Sequence, residues 1–154
     1  AVNNVACRAN AELLGKHLVI VKSRDTATVD KKKRKLRKLQ KEKLWNELDN
    51  HTDKVMGRLP LLKGGRYMLK GNVHTEIGGV NGAILTLYGV VLDPRESPWT
   101  ANRDHELRYL PAYLLLKHPD PKFKPFPGLP PGVFPLPPTT VYFKRLKRNL
   151  ARPT

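Results

Sequence analysis

The residues best placed to do chemistry are basic ones, and they form two clusters. One is the acid-free stretch from Lys31 to Lys41, and the other lies near the C-terminus. A solvated helix face normally mixes acids with bases, so a run without acids favours contact with the phosphates of a nucleic acid. Such contacts give affinity and salt dependence without a preference for base sequence. The candidate residues of the two clusters are Lys31, Lys32, Lys33, Arg34, Lys35, Arg37, Lys38, Lys144, Arg145, Lys147 and Arg148.

Catalytic and metal chemistry find little support in the sequence. Neither Gly-Gly pair is followed by the lysine and hydroxyl residue of a nucleotide-binding loop, so the chain cannot hydrolyse a nucleotide alone in the usual manner. Asp93 with Glu96, and Asp104 with Glu106, lie beside arginines, where ordinary surface salt bridges explain them. One cysteine and five histidines without ligand spacing give no metal site. We assign no catalytic residue and no metal ligand.

Length and composition limit the class of protein. The chain has 154 residues, a net charge of +16 and 40% apolar residues, which suits a core-forming protein that meets a polyanion. It is too short for a complete multidomain motor. Fourteen prolines and 11 glycines exclude a mostly helical bundle. No run is long enough to span a bilayer, so we expect a soluble intracellular protein without a membrane partner.

The first 57 residues predict a helix-strand unit followed by a basic helix. Over residues 1–30, a short helix capped by Asn3 or Asn4 ends at Gly15, and the apolar run 18–21 is typical of a buried strand. Residues 31–57 are predicted to be a basic helical linker. Positive charge at its start opposes the helix dipole, so its first turn is expected to be frayed without an anion. The predicted apolar face of the first helix consists of Val5, Ala9 and Leu13.

Residues 58–116 have the pattern of a β-barrel or meander, with short apolar runs between turn dipeptides. Asn81-Gly82 predicts a tight turn, and the strand from Ile84 to Tyr88 is expected to be buried on both faces because neither face is purely polar. Pro111 confines the next strand to an edge or a bulge.

The last part of the chain is rich in proline. Residues 117–140 predict an extended strap laid across the chain's own barrel and anchored by phenylalanines, rather than a helix or central strand. The anchoring phenylalanines are Phe123, Phe126 and Phe134. Residues 141–154 predict a final strand and a basic tail. The fold class is therefore α+β.

Several motifs resemble Pif-family DNA helicases, especially those encoded by fungal Helitron transposons. The matching positions in the middle of the chain are Met68-Leu69, Asn72, Val80-Asn81-Gly82 and the segment from Val90 to Leu92-Asp93-Pro94-Arg95-Glu96. The matching positions near the start are Asn4, Asn10, Ser23 and Asp25. The stretch KFKPFPGLPPGVFPLPP is similar to a Phe-Pro-rich stretch of the Helitron relatives.

The resemblance implies a fragment of an ATP-dependent 5′-to-3′ DNA helicase. It would comprise the start of the second RecA-like domain and an inserted SH3-like barrel that helps to hold single-stranded DNA. Asn72 and His74, together with lysines 31–33, would face the DNA backbone, and Arg66 and Lys70 would add to the contact. The remainder of the motor would be a partner, ATP and Mg²⁺ would belong to the complete helicase, and the location would be nuclear.

Two other classes fit the composition. A small ribosomal-type structural protein that binds RNA would also be short, very basic and built on one barrel with extended basic ends. A scaffold whose proline-rich strap binds a partner domain is the third alternative. A helicase fragment would prefer single-stranded DNA, and a ribosomal-type protein would prefer structured RNA. A scaffold would prefer neither.

Overall fold

The computed structural model describes residues 2–29, 32–47, 56–73, 75–98, 103–120 and 126–140. The chain divides into a first unit, Ala1–Arg24 with Arg58–Pro138, and a second unit, Asp25–Gly57 with Thr139–Thr154. The elements of the first unit are α1 (Val2–Leu13), β1 (Val19–Lys22), β4 (Arg58–Leu61), β5 (Arg66–Met68), a 3₁₀ turn (Thr75–Ile77), β6 (Ile84–Val91), β7 (His105–Glu106), β8 (Tyr113–Lys117) and β9 (Val133–Leu136). The second unit contains β2 (Thr26–Val29), β3 (Lys32–Lys35) and α2 (Lys38–Trp45). This confirms the mixed α+β class.

Helix α1 ends where the sequence predicts. Gly15 takes φ +59, a left-handed conformation that glycine adopts without steric cost, and its amide donates to the Glu12 carbonyl. The predicted cap is wrong, because the helix begins at Val2 and so encloses the two asparagines. The predicted apolar face is also wrong: Ala9 is exposed and Leu13 is 84% exposed.

The side of α1 that is buried carries smaller residues. Ala11 is buried with Leu18 and Leu62, and Cys7 packs against the same cluster. Cys7 and Ala11 are one helical turn apart, so they share a face. Small side chains let the helix approach β4 closely, which leaves the larger Leu13 on the solvent side.

The first sheet has the strand order β4-β1-β7. The strand β1 pairs antiparallel with β4, with Val19 opposite Leu61, and parallel with the short β7. Val19 and Val21 are buried, which confirms the predicted buried strand after the first helix.

The second sheet is an antiparallel meander with the order β5-β6-β8-β9. One core joins it to the first sheet, because the buried residues of both sheets form a single cluster. That cluster consists of Val19, Val21, Leu61, Leu85, Leu87, Leu107, Leu116 and Phe134. The described strands form sheets over a common core and do not close into a barrel.

Strand β6 differs from its prediction. Leu85 and Leu87 are each 1% exposed, whereas Ile84 and Tyr88 are 50% and 42% exposed, so only one face is buried. The predicted turn before it is confirmed: the Ala83 amide donates to the Val80 carbonyl at 3.0 Å, and Gly82 takes φ +87.

Prolines occupy positions that the sheet tolerates. Pro111 lies two residues before β8, so this strand can sit between β6 and β9 rather than at the predicted edge.

The strap prediction is wrong over residues 133–136, because these form the edge strand β9. Pro135 is tolerated there because an edge strand pairs on one side only, so its missing N–H breaks no hydrogen bond to a second neighbour. Phe134 is fully buried and Phe126 packs against the core, as predicted anchors should, while Phe123 lies outside the described residues.

The second unit begins with a hairpin where the sequence predicts helix. Lys32 to Lys35 form β3, which pairs antiparallel with β2. Four adjacent cations on a helix would repel one another and the dipole at its start, whereas strand neighbours point to opposite faces. Thr26 and Thr28 in β2 favour the extended form. Among the described residues of the predicted helical segment 31–57, helix is present only as the short α2.

Candidate nucleic-acid interface

The basic strand β3 forms the candidate interface. All four of its side chains, from Lys32 to Lys35, are exposed. The partner strand places Thr26 opposite Lys35, Ala27 opposite Arg34 and Thr28 opposite Lys33. The hairpin therefore carries a continuous row of positive charge beside small and hydroxyl-bearing neighbours.

The hairpin register sorts these side chains onto two faces. Lys33 and Lys35 share one face with the threonines of β2, and Lys32 and Arg34 share the other with Ala27. Residues two apart on a strand are separated by about 6.6 Å. Each face thus presents two cations at a regular spacing, and one face adds hydroxyl donors that can also contact phosphate oxygens.

The start of α2 adds charge next to the hairpin in the sequence. Arg37 and Lys38 are both exposed. The Arg37 amide donates to Gln40 Oε1 at 2.9 Å, and the first turn of α2 contains no acid. The sequence therefore supplies six basic residues between 32 and 38 that are exposed, interrupted only by the half-buried Leu36.

The first unit carries the other predicted contacts that are described. Arg66 is exposed on β5 opposite Thr86, and Lys70 is exposed just beyond that strand. The Asn72 side chain has a structural partner, because its Oδ1 accepts a hydrogen bond from the Asn81 amide at 2.8 Å. Asn72 thus anchors the Asn81-Gly82 turn.

Several predicted residues lie outside the described part of the chain. They are Lys31, His74, Lys144, Arg145, Lys147 and Arg148. The predicted strand and basic tail over residues 141–154 lie outside it as well.

The Asp93-Pro94-Arg95-Glu96 segment forms a network that goes beyond the surface salt bridges predicted for it. Asp93 holds the Arg95 guanidinium at 2.8 Å through both carboxylate oxygens, and these bonds bring the pKa of Asp93 well below its usual range. The Arg95 guanidinium lies 4.4 Å from the centroid of the Tyr109 ring, and that of Arg24 lies 5.4 Å from it. Both arginines are placed for cation–π contact with one tyrosine.

Glu96 is the buried member of this network. Its side chain is 1% exposed, and Oε2 accepts hydrogen bonds from the Arg108 amide at 2.8 Å and the Tyr109 amide at 2.9 Å. Oε1 lies 3.5 Å from His105 Nε2. Burial raises the pKa of Glu96, but the hydrogen bonds from the Tyr109 and Arg108 amides and the electrostatic attraction of His105 outweigh it, and the net pKa is lowered. The predicted surface salt bridge is therefore wrong for Glu96. A glutamate two residues after a proline gives no sequence signal of burial.

The remaining acidic pair behaves as predicted. Asp104 accepts from Arg8 Nη1 at 3.2 Å and also from the Leu18 amide at 2.8 Å, which joins α1 to the first sheet. Glu106 pairs with Lys22 on the neighbouring strand. These carboxylates serve the fold, since each already has a cation as its partner.

Within the described ranges, no group of three or more His, Cys, Asp or Glu side chains could hold a metal ion. None of the described helices is long and apolar enough to cross a membrane.

Comparisons with known proteins give no relative. No protein-family model, curated protein or solved structure matches the chain.

Proposed function

We propose that the chain binds nucleic acid, with the exposed hairpin strand β3 and the start of α2 contacting the phosphate backbone. The observation that carries this proposal is the run of four consecutive exposed cations from Lys32 to Lys35, with Arg37 and Lys38 following. Adjacent positive side chains repel one another, and a bound polyanion reduces this repulsion. Binding is also driven by the release of the counterions that surround the nucleic acid.

The ligand we favour is single-stranded DNA, in a fragment derived from a Helitron-type helicase. Motif resemblance supports this choice, and so does the construction of the first unit. There the turn between β4 and β5 joins both sheets, since the Gly64 amide donates to the Leu87 carbonyl at 2.8 Å and the Leu87 amide donates to Gly65 at 2.9 Å. We take this bent arrangement of short antiparallel strands to be an opened SH3-like barrel.

In a complete helicase, ATP and Mg²⁺ would be bound by the rest of the motor. The location of such a protein would be nuclear. The residues present do not suit a nucleotide. The Gly64, Gly65 and Gly78 amides all donate to backbone carbonyls, so these three N–H groups are not available to bind a phosphate as they would be in a phosphate-binding loop. The proposed activity of this chain is therefore binding alone.

The ribosomal-type alternative rests on the same charge. A two-stranded ribbon of basic residues can also follow the backbone of folded RNA, and neither the hairpin nor α2 distinguishes a DNA phosphate from an RNA phosphate. The choice between the two ligands is made by measuring affinity for each.

The test is fluorescence anisotropy of the full chain against single-stranded DNA, duplex DNA and a folded RNA across a salt series. We expect tightest binding to single-stranded DNA. The triple variant Lys32→Gln, Lys33→Gln, Lys35→Gln should lower the salt slope by about 2, since each lost contact to a single strand removes about 0.7.

The matched control removes the same charge elsewhere. Lys16→Gln, Lys43→Gln, Lys63→Gln replaces three lysines that are also exposed and lie outside the hairpin. This control should keep nearly the wild-type slope. If the two triple variants lower the salt slope equally, the hairpin contributes only through the net charge of the chain. Stronger binding to folded RNA than to single-stranded DNA would favour the ribosomal-type alternative.

A further inference from the structure

The outward side of the β5-β6-β8 sheet carries exposed apolar and aromatic residues. We name it the outer face. Five large side chains there are between 40% and 61% exposed: Met68, Ile84, Tyr88, Val91 and Tyr113. Large side chains on one sheet face are normally buried against another layer or used to bind a ligand. The outer face is thus a candidate binding surface within the first unit.

A row of basic residues crosses the same face. Arg66 on β5 pairs with Thr86 on β6, and Thr86 pairs with Lys117 on β8. Arg66 and Lys117 are both exposed, and two strand spacings of about 4.8 Å separate their backbones. No residue of β5, β6 or β8 is acidic. The outer face therefore combines aromatic rings with cations that have no acidic neighbour on these strands.

A bulge directs one of the two tyrosines. The pairing of β6 with β8 shifts between Leu87 and Gly89, so Tyr88 is an extra residue opposite Leu115. A bulge of this kind changes the direction of a side chain and is common beside binding sites. Tyr113, two residues from Leu115 on β8, is then a diagonal neighbour at about 7 to 8 Å.

Tyr67 differs from these two tyrosines. Its hydroxyl accepts a hydrogen bond from the Leu62 amide at 2.7 Å and lies 3.2 Å from the Pro60 carbonyl, and its ring packs against the core. Tyr67 holds the turn after β4 in place, so its role is structural. Only Tyr88 and Tyr113 present their rings to the outer face of this sheet in the described part of the chain.

We propose that the outer face is a stacking platform for single-stranded nucleic acid, with Tyr88 and Tyr113 stacking on bases and Arg66 and Lys117 contacting phosphates. The inference rests on the proposed nucleic-acid binding and goes further by assigning contacts to the bases. Sheet faces that combine aromatic rings with basic residues suit single strands, because every base has a π-face while a duplex hides its bases. The basic row argues against an apolar protein surface as the occupant.

The experiment compares two ligands with the same backbone charge. One is an oligothymidylate of about 15 nucleotides, and the other is an abasic strand of equal length. The wild-type full chain should bind the oligothymidylate at least about tenfold more tightly, since each stacked base contributes a factor of that order. The double variant Tyr88→Leu, Tyr113→Leu should lose this preference and keep the wild-type affinity for the abasic strand.

Two further variants separate stacking from charge and from fold. Tyr88→Trp, Tyr113→Trp should restore the preference, because tryptophan retains an aromatic face. Arg66→Gln, Lys117→Gln should weaken binding of both strands to a similar degree, because it removes phosphate contacts that the two ligands share.

Each outcome has a distinct meaning. If the wild-type chain binds both strands equally, or the leucine variant keeps the preference, the platform is refuted while nucleic-acid binding stands. If the wild-type chain binds neither strand, the proposed function itself fails. If the leucine variant instead changes only the sedimentation behaviour of the protein, the outer face is a protein interface and the platform is refuted.

Discussion

Replacing Glu96 tests whether the Asp93–Glu96 segment is held by one buried carboxylate. In Glu96→Ala, the amides of Arg108 and Tyr109 lose their shared acceptor. A hydrogen bond to a charged group contributes about 1.5 to 3 kcal/mol to the free energy of unfolding. The two bonds together therefore contribute at most about 3 to 6 kcal/mol. The bond to Arg108 lies in an exposed position, where water can replace the carboxylate. We therefore expect a loss of about 3 kcal/mol in the free energy of unfolding.

The assay is urea unfolding of both variants and wild type, followed by far-ultraviolet circular dichroism. Glu96→Gln keeps an amide oxygen as acceptor but not the charge, so it should lose less, about 1 kcal/mol. A Glu96→Ala chain within about 0.5 kcal/mol of wild type would refute the view that this carboxylate organises the segment.

The pH dependence follows from the lowered pKa of Glu96. A carboxylate whose pKa is lower in the folded chain stabilises the fold fully above its unfolded pKa, and this stabilisation is lost as the pH falls through the folded pKa. The stability difference between wild type and Glu96→Gln should thus be largest near neutral pH and shrink on acidification below the ordinary glutamate pKa. A difference that stays constant with pH would show that the charge of Glu96 is unimportant.

Three other perturbations test the fold. Phe134→Ala should cost about 3 to 5 kcal/mol in urea unfolding because the ring is fully buried, and the half-buried Phe126→Ala should cost less. Equal costs would contradict the placement of β9. Gly82→Ala should cost about 1 kcal/mol, since no atom crowds the new methyl group and only φ +87 opposes it; an unchanged midpoint would contradict that turn. Burial raises the pKa of the Cys7 thiol, so iodoacetamide should modify it more slowly in the folded chain than in urea; equal rates would place it in solvent.

Local patterns predicted the elements that depend on nearest neighbours. The β-branched run before Lys22 predicted a buried strand. Gly15 predicted the end of a helix and Gly82 predicted a turn, because the backbone at both positions needs a positive φ that glycine adopts readily. The α+β class followed from such signals.

Elements that depend on distant partners were missed. Leu13 fits a helical apolar face, but the packing of Ala11 against Leu62 turned that face to solvent. The proline-rich segment contributes an edge strand because β8 offers a partner for Phe134 and its neighbours. No local pattern shows that partner.

The candidate site divides in the same way. The cations of β3 were predicted from their density alone, yet their extended backbone depends on pairing with β2. Glu96 was missed because its burial depends on amides twelve and thirteen residues away. Tyr88 was predicted to be buried with the rest of its strand, because the bulge that exposes it follows only from the pairing with β8.

The most direct test of the central claim is a lysine footprint. The full chain is acetylated briefly with and without saturating single-stranded DNA, and the modified positions are quantified by mass spectrometry. We predict strong protection of Lys32, Lys33 and Lys35 by the DNA, with Lys16 and Lys63 modified equally in both samples. Uniform protection of all five lysines, or none at the hairpin, would contradict a nucleic-acid interface built on β3.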